Sequence, residues 1–292
     1  MNTCPRCGSP RSALDSGCGA CGFQPSVRDG IVYFAPGSAG GTGGDAVYQH
    51  EALFAAEQSH FWFRGRERLV VWALRRHFPS AATLLDVGCG RGSLLAGIRA
   101  RVPALRLAGA ELLDTGLKFA RQRLAADIGL YQLDATALPF DREFDVVTSC
   151  DVLEHIDDDR AVLREIFRAV VPGGGIIVTV PQHRWLWSAV DAYSHHRRRY
   201  ARRELVSAIE AAGFVVERVT SFMTSLLPLL LVLRLRRQRL DEGFDPTAEL
   251  KIGALPNAVL GGMLGVDIAA VRMGASLPAG SSLLAVARRP AE

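Results

Sequence analysis

The sequence predicts an α/β fold: a largely parallel sheet covered on both faces by helices. Three observations predict it. From Thr83 onward, short apolar runs alternate with amphipathic helical patterns, an order that right-handed crossovers convert into a parallel sheet. The first of these runs ends in a glycine-rich turn, "DVGCGRG", where bare backbone admits a ligand. A carboxylate, Glu111, closes the second run about twenty residues further on, the place from which ribose hydroxyls are held in such folds. At 292 residues the chain is long enough for one large domain and an appendage.

The appendage comes first. Cys4 and Cys7, then Cys18 and Cys21, form two C-x-x-C knuckles, each followed by a glycine that helps close its turn. Four thiolates from two knuckles suit tetrahedral structural zinc. So small a segment needs the metal to fold, since it buries little apolar surface. Residues 1–36 are therefore expected to be a separate zinc ribbon, available for protein docking. Residues 37–46, within "PGSAGGTGG" and its continuation, read as a flexible linker, and 47–292 as the main domain. The remaining cysteines, Cys89 and Cys150, stand alone, which fits a reducing compartment. Cysteine, proline and glycine occupy the place of a signal sequence's apolar segment, so a cytoplasmic location is expected. Thirty-four basic against 30 acidic residues leave a charge of +4, too little to demand nucleic acid as partner.

The elements of the main domain follow in order. "TLLDV" is the first strand and "SLLAGIRARV" its helix; "LRLAGAEL" and "TGLKFARQRLAA" repeat the unit. "GLYQLDAT" and "FDVVTSCDVL" supply the third and fourth strands, and "DDDRAVLREIFRAV" leads through "VPGGG" into "IIVTVP". The helix "RRELVSAIEAAGF" precedes "FVVERVTSF", which pairs antiparallel with the last strand, "SSLLAVARRP", giving seven strands. Between these two lies an apolar insert, 222–280. Pro228 splits its leucine-rich run, and Asp267 interrupts its second apolar stretch, so neither is expected to span a membrane. The insert reads as a lid beside the acceptor, peripheral at the inner membrane face through Arg234, Arg236, Arg237 and Arg239.

The ordered set "LLDVGCGRG", "GAEL", "LDATALPF", "FDVVTSCDVLEHIDD" and "LREIFRAVVPGGGIIVTVP" resembles the class I S-adenosylmethionine-dependent methyltransferases, with their Rossmann-like seven-stranded sheet. No Walker-type lysine follows the glycines, which disfavours phosphate cradling. The resemblance implies that Asp86, Gly88, Gly90 and Gly92 line the methionine side of the cofactor. Glu111 would hold its ribose and Leu112 its adenine face, with Asp134 and Ala135 at the adenine edge. Cys150 and Asp151 would end the fourth strand near the reacting methyl. Upstream, "EQSHFWFRGRER" resembles a segment of a bacterial subgroup often encoded with glycan-assembly functions, and Arg66 would meet the cofactor carboxylate. The ribbon is similar to ribbons fused to some of these enzymes.

Methyl transfer to oxygen requires a proton acceptor. The candidates are His155 in "LEHIDD" and His195 or His196 in "YSHHRRRY"; His196, with Arg198 and Tyr200, matches an H-x-R-x-Y element of similar enzymes. A purely structural role for His155 or His196 stands beside the catalytic one. Asp151, Glu154 and His155 also permit metal assistance of the kind reported for some quinone-forming relatives. The expected reaction is O-methylation of a small-molecule or lipid-linked glycan acceptor. Ribosomal RNA methylation and a non-catalytic, cofactor-binding docking role are the alternatives.

Overall fold

The structure is a computed structural model describing residues 2–11, 17–35, 57, 59–235 and 251–291. The linker 37–46 and Arg236, Arg237 and Arg239 lie outside these residues, as does the side chain of Arg234.

Nine strands form the main sheet, in the order β10-β11-β9-β8-β5-β6-β7-β4-β3. These are β3 (Ser26–Arg28), β4 (Ile31–Tyr33), β5 (Thr83–Val87), β6 (Arg106–Glu111), β7 (Gly129–Gln132), β8 (Phe144–Cys150), β9 (Val170–Pro181), β10 (Val215–Phe222) and β11 (Ser282–Arg288). A separate hairpin joins β1 (Asn2–Thr3) to β2 (Pro10–Arg11). Strands β4 to β9 run parallel where they pair, and β11 enters antiparallel between β9 and β10, as the sequence predicts.

The expected count of seven becomes nine because residues 26–33, assigned to the ribbon, extend the sheet. "RDGI" makes the turn: Asp29 and Gly30 both have positive φ, 50° and 73°, as a two-residue hairpin loop requires. β4 then pairs with β7. Beyond it, Phe34 N donates to Gln132 O at 2.8 Å, and the Gln132 side chain clasps Ala35 through both backbone groups. The cysteine-bearing hairpin is tied to the same side through Thr3, whose N donates to Pro139 O and whose hydroxyl accepts from Arg168.

Successive side chains of a strand point to opposite faces, so each central strand feeds two cores. Leu84 and Val146 pack on one face, with Leu69, Leu74, Leu95 and Ile98. Leu85 and Val147 pack on the other, with Val162, Ile166, Leu205 and Ile209. The first face is covered by α1 (Phe61–His77), α2 (Ser93–Arg101) and α3 (Asp114–Arg123), the second by α4 (Asp159–Ala169) and α6 (Arg202–Ala211). The short α5 (Ala189–Tyr193) follows β9. Local chemistry sets the helix starts: the Asp158 side chain accepts from Ala161 N at 2.9 Å, and Glu204 accepts from Ala201 N at 2.9 Å.

The insert forms α7 (Leu227–Leu235) and α8 (Ala254–Arg272). α8 lies across α1. A Cβ on Gly65 would sit 2.2 Å from Leu264 Cδ2, so glycine is what lets these helices approach. Asn257 accepts from Phe61 N at 2.8 Å and donates to Ser59 O at 3.0 Å. By length and composition alone α8 is apolar enough to cross a membrane. Its one interior charge, Asp267, is buried and accepts from Ser225 N.

Candidate active site

The glycine turn leaves β5 through three left-handed residues, Gly88, Gly90 and Gly92, with φ of 77°, 52° and 73°. Side chains are also excluded sterically: a Cβ at Gly88 would lie 2.2 Å from Val152 Cγ2, and one at Gly92 2.7 Å from Leu124 Cδ1. Gly88 N and Cys89 N donate to Ala110 O, tying the turn to the end of β6. Glu111, buried there, accepts from Gly90 N and Leu113 N, each at 3.0 Å. The bare backbone of the turn and the carboxylate beside it are compatible with the methionine and ribose portions of the expected cofactor.

Asp134 sits beyond β7 and folds back locally, its Oδ1 accepting from Thr136 N at 2.8 Å and Thr136 Oγ1 at 2.7 Å. Leu112 and Ala135 are half-buried beside this turn, and Leu112 O accepts from Gln132 Nε2.

Charge concentrates at the C-terminal ends of β5 and β8. Asp86 is buried and accepts from Thr148 Oγ1 at 2.6 Å, and burial pushes its carboxyl up to about 7. Asp151 follows β8 with a left-handed φ of 58° and forms an ion pair with Arg66. Arg66 reaches in from α1, its guanidinium stacked 4.5 Å from the Trp62 ring centroid. The aromatic run before the first strand thus shapes an arginine on the site's wall, although its partner here is Asp151. Cys150 is buried alongside, and burial raises its thiol to about 12, so it stays neutral.

The histidines meet at the adjoining wall. The rings of His155 and His196 are edge to face, 4.7 Å between centroids. His196 Nδ1 lies 2.9 Å from Asp191 Oδ1. Asp191 is almost fully buried, also accepts from Arg199 Nε and Nη2 and from Ser188, and these partners hold its carboxyl below the usual range despite burial. Glu154 adds a carboxyl with no accessible surface and no hydrogen-bond partner on either oxygen; burial and the nearby Asp151 charge push it well up. One ligand atom each from Glu154, His155 and His196 lie within 4.8 Å of one another. Arg198 and Tyr200, by contrast, hold the loop: both reach Asp159 at the start of α4, Tyr200 at 2.6 Å.

Asp191 and Arg199 escaped the sequence reading. Arg199 is one of three consecutive arginines with nothing local to single it out, and Asp191 lies on a five-residue helix. The only available signal was an acid five residues before His196.

At the ribbon, Gly8 N donates to Cys4 O and Gly22 N to Cys18 O, closing both knuckles. The pairs Cys4–Cys21 and Cys7–Cys18 have sulfurs 3.6 and 3.7 Å apart, and all four sulfurs lie within 4.8 Å. A zinc tetrahedron with bonds of about 2.3 Å has edges of about 3.8 Å. The four free thiols fit that ion.

Residues 54–219 match the model of a family described as Methyltransferase domain. The chain is 31% identical over 165 residues to a probable S-adenosylmethionine-dependent methyltransferase of Mycolicibacterium smegmatis, covering 55% of this chain and 62% of that one. It is 35% identical over 113 residues to a ubiquinone biosynthesis O-methyltransferase of Thiobacillus denitrificans, covering 36% and 47%. These matches span less than two thirds of the relatives' own length. Among solved structures, a chain from the complex of the Haloferax volcanii Trm112 methyltransferase activator with a methyltransferase aligns with TM-score 0.54 and 18% identity, over 85% of this chain and 97% of that one. Geranyl diphosphate C-methyltransferase from Streptomyces coelicolor aligns with TM-score 0.51 and 20% identity, over 76% of each chain. With more than half its length matched by the family model, the chain belongs to the methyltransferase-domain family.

Proposed function

We propose that the protein methylates a hydroxyl of a small-molecule or lipid-linked acceptor, a glycan-bearing lipid being the favoured class. S-adenosylmethionine supplies an electrophilic methyl group when bound. The chain's own residues would position it: Asp86 and the glycine turn line the methionine side, and Glu111 holds the ribose. The observation that carries the oxygen-acceptor reading is the His196–Asp191 pair. A buried, ionised Asp191 on Nδ1 fixes the tautomer of His196 and leaves Nε2 as acceptor for the hydroxyl proton. Burial of Cys150 and the Arg66–Asp151 pair would exclude water from the methyl's path. The lipid-linked part rests on the apolar insert lying against α1, the helix that carries Arg66. A net charge of +4 weighs against ribosomal RNA, and the intact glycine turn weighs against a purely regulatory role.

The test is transfer of labelled methyl groups from the cofactor into a cell extract fractionated into lipid, polysaccharide, RNA and protein. Label in lipid or polysaccharide is expected; label in RNA overturns the acceptor assignment. His196→Ala should lower kcat about 100-fold or more, the usual loss for a proton acceptor, with cofactor affinity unchanged. A second reading, favoured by the convergence of Glu154, His155 and His196, makes them ligands of a divalent cation that acidifies the hydroxyl. Glu154→Gln with full activity would remove it.

A further inference from the structure

The outer side of α1 and the insert meet in a groove that the catalytic reading does not use. Its cavity, about 540 Å³, is lined by Arg68, Arg75, Arg76, Arg101 and Arg272 around Trp72; among the described residues no carboxylate lines it, and Arg101 is ion-paired with Glu67 beside it. Arg75 donates to Arg101 O and Arg68 to Arg64 O, and Arg76 and Arg272 complete a basic depression of the kind that suits anionic oxygen, above all phosphate.

Alongside runs a surface that a soluble helix would normally make polar. Leu255, Val259, Gly262, Val266, Ala269 and Met273, spaced four and three residues apart, share one face of α8, and all are exposed. Leu255, Val259, Val266 and Met273 are 76%, 54%, 66% and 83% exposed. The opposite face, with Leu264, Ile268 and Val271, is buried in the core. Ala269 belongs both to the apolar stripe and to the groove wall. The apolar surface and the phosphate receptor are therefore contiguous.

We propose that this face docks on an anionic phospholipid surface, α8 lying in the interface with its stripe among the acyl chains and the arginine groove on lipid phosphates. Basic and apolar features side by side are what an interfacial helix needs. Crossing the bilayer is excluded by packing, because Asp267 and the Asn257 contacts hold α8 to the fold. RNA would use the arginines but leave the stripe in water. A second copy of the chain would cover the stripe but bring five more arginines against the first five. The proposal deepens the lipid-linked acceptor reading: α1 carries the groove on its outer side and Arg66 on its inner one.

The experiment is co-sedimentation of the full chain with phosphatidylcholine vesicles, with and without phosphatidylglycerol, at low and high salt. Binding that requires phosphatidylglycerol and weakens with salt is expected. Each arginine removed should lower partitioning about fivefold, so Arg76→Gln with Arg272→Gln should lower it about 25-fold. Val266→Asp should also abolish it. Calorimetric cofactor affinity, expected unchanged in all variants, verifies that they fold. No vesicle binding by the wild type overturns the proposal, as does RNA binding that depends on Arg76 and Arg272 without vesicle binding. A concentration-dependent dimer broken by Val266→Asp also overturns it. Vesicle binding with methyl label confined to polysaccharide would keep the docking surface and refute the lipid acceptor.

Discussion

Glu111 has one role that the structure shows and one that is proposed. The proposed ribose contact was legible because the residue ends an apolar run at a set distance from the glycines. Its bonds to Gly90 N and Leu113 N, which shape the turn itself, depend on how two strands pair. Glu111→Ala should therefore weaken cofactor binding by about 1.5–3 kcal/mol, the value of charged hydrogen bonds, measured calorimetrically; unchanged affinity would remove it from the site. Gly90→Val should abolish binding, because φ of 52° strains any branched side chain. Asp86 predicts a pH effect. Its folded value of about 7, raised by burial beside Glu111 and only partly offset by Thr148 and Arg66, lies above its ordinary range. The native state thus holds the proton more tightly than the unfolded chain, and this contribution to stability is lost as pH rises from about 4 to about 7. The Tm of the cofactor-free protein should fall between pH 5 and 8, and Asp86→Asn should flatten that slope. Asp191, held low by His196 and Arg199, titrates below this window.

At the scale of elements, long runs with a period were legible and short ones were not. β5, β6, β8, β9 and α4 follow the predicted order because each carries enough apolar residues to announce its face. β3 and β4 are three residues each, and the partner of Ile31 is Leu130, far along the chain. No local pattern distinguishes such a hairpin from a ribbon's own strand. The insert was read as apolar, but its packing partner was hidden, since Gly65 on α1 looks like an ordinary helix-weakening glycine. Replacing it tests the contact. Alanine at an exposed helical position would gain about 1 kcal/mol of propensity. Here the new Cβ meets Leu264 at 2.2 and 2.9 Å, and overpacking costs about 1–3 kcal/mol. Gly65→Ala should therefore lower the Tm rather than raise it; a higher Tm would mean that α8 moves freely off α1.

For the whole molecule, the cysteine hairpin, the sheet edge and the glycine turn are linked in series. The cysteine hairpin is anchored to Pro139 and Arg168 through Thr3. β4 lies on β7, and β7 on β6, the strand that ends in Glu111. Tyr33 OH donates to Asp114 Oδ1 at 2.6 Å, at the start of α3 and three residues beyond Glu111. Deleting residues 1–36 would expose the edge of β7 and remove Ile31, Tyr33 and Phe34 from burial. At about 1.5–3 kcal/mol for each large side chain, that loss rivals the net stability of a domain. The glycine-rich linker argues for a separable module and the pairing of β4 with β7 for a dependent one, and truncation decides between them. The truncated chain should melt lower, bind cofactor more weakly and self-associate through its bared edge strand. Zinc should act along the same route. One ion per chain is expected by elemental analysis, and stripping it, or Cys18→Ser, should lower both Tm and cofactor affinity, because a metal held by the four thiols would supply the folding energy of the cysteine hairpin. A truncated protein that stays monomeric with wild-type cofactor affinity would show that the ribbon rests on the sheet without supporting it.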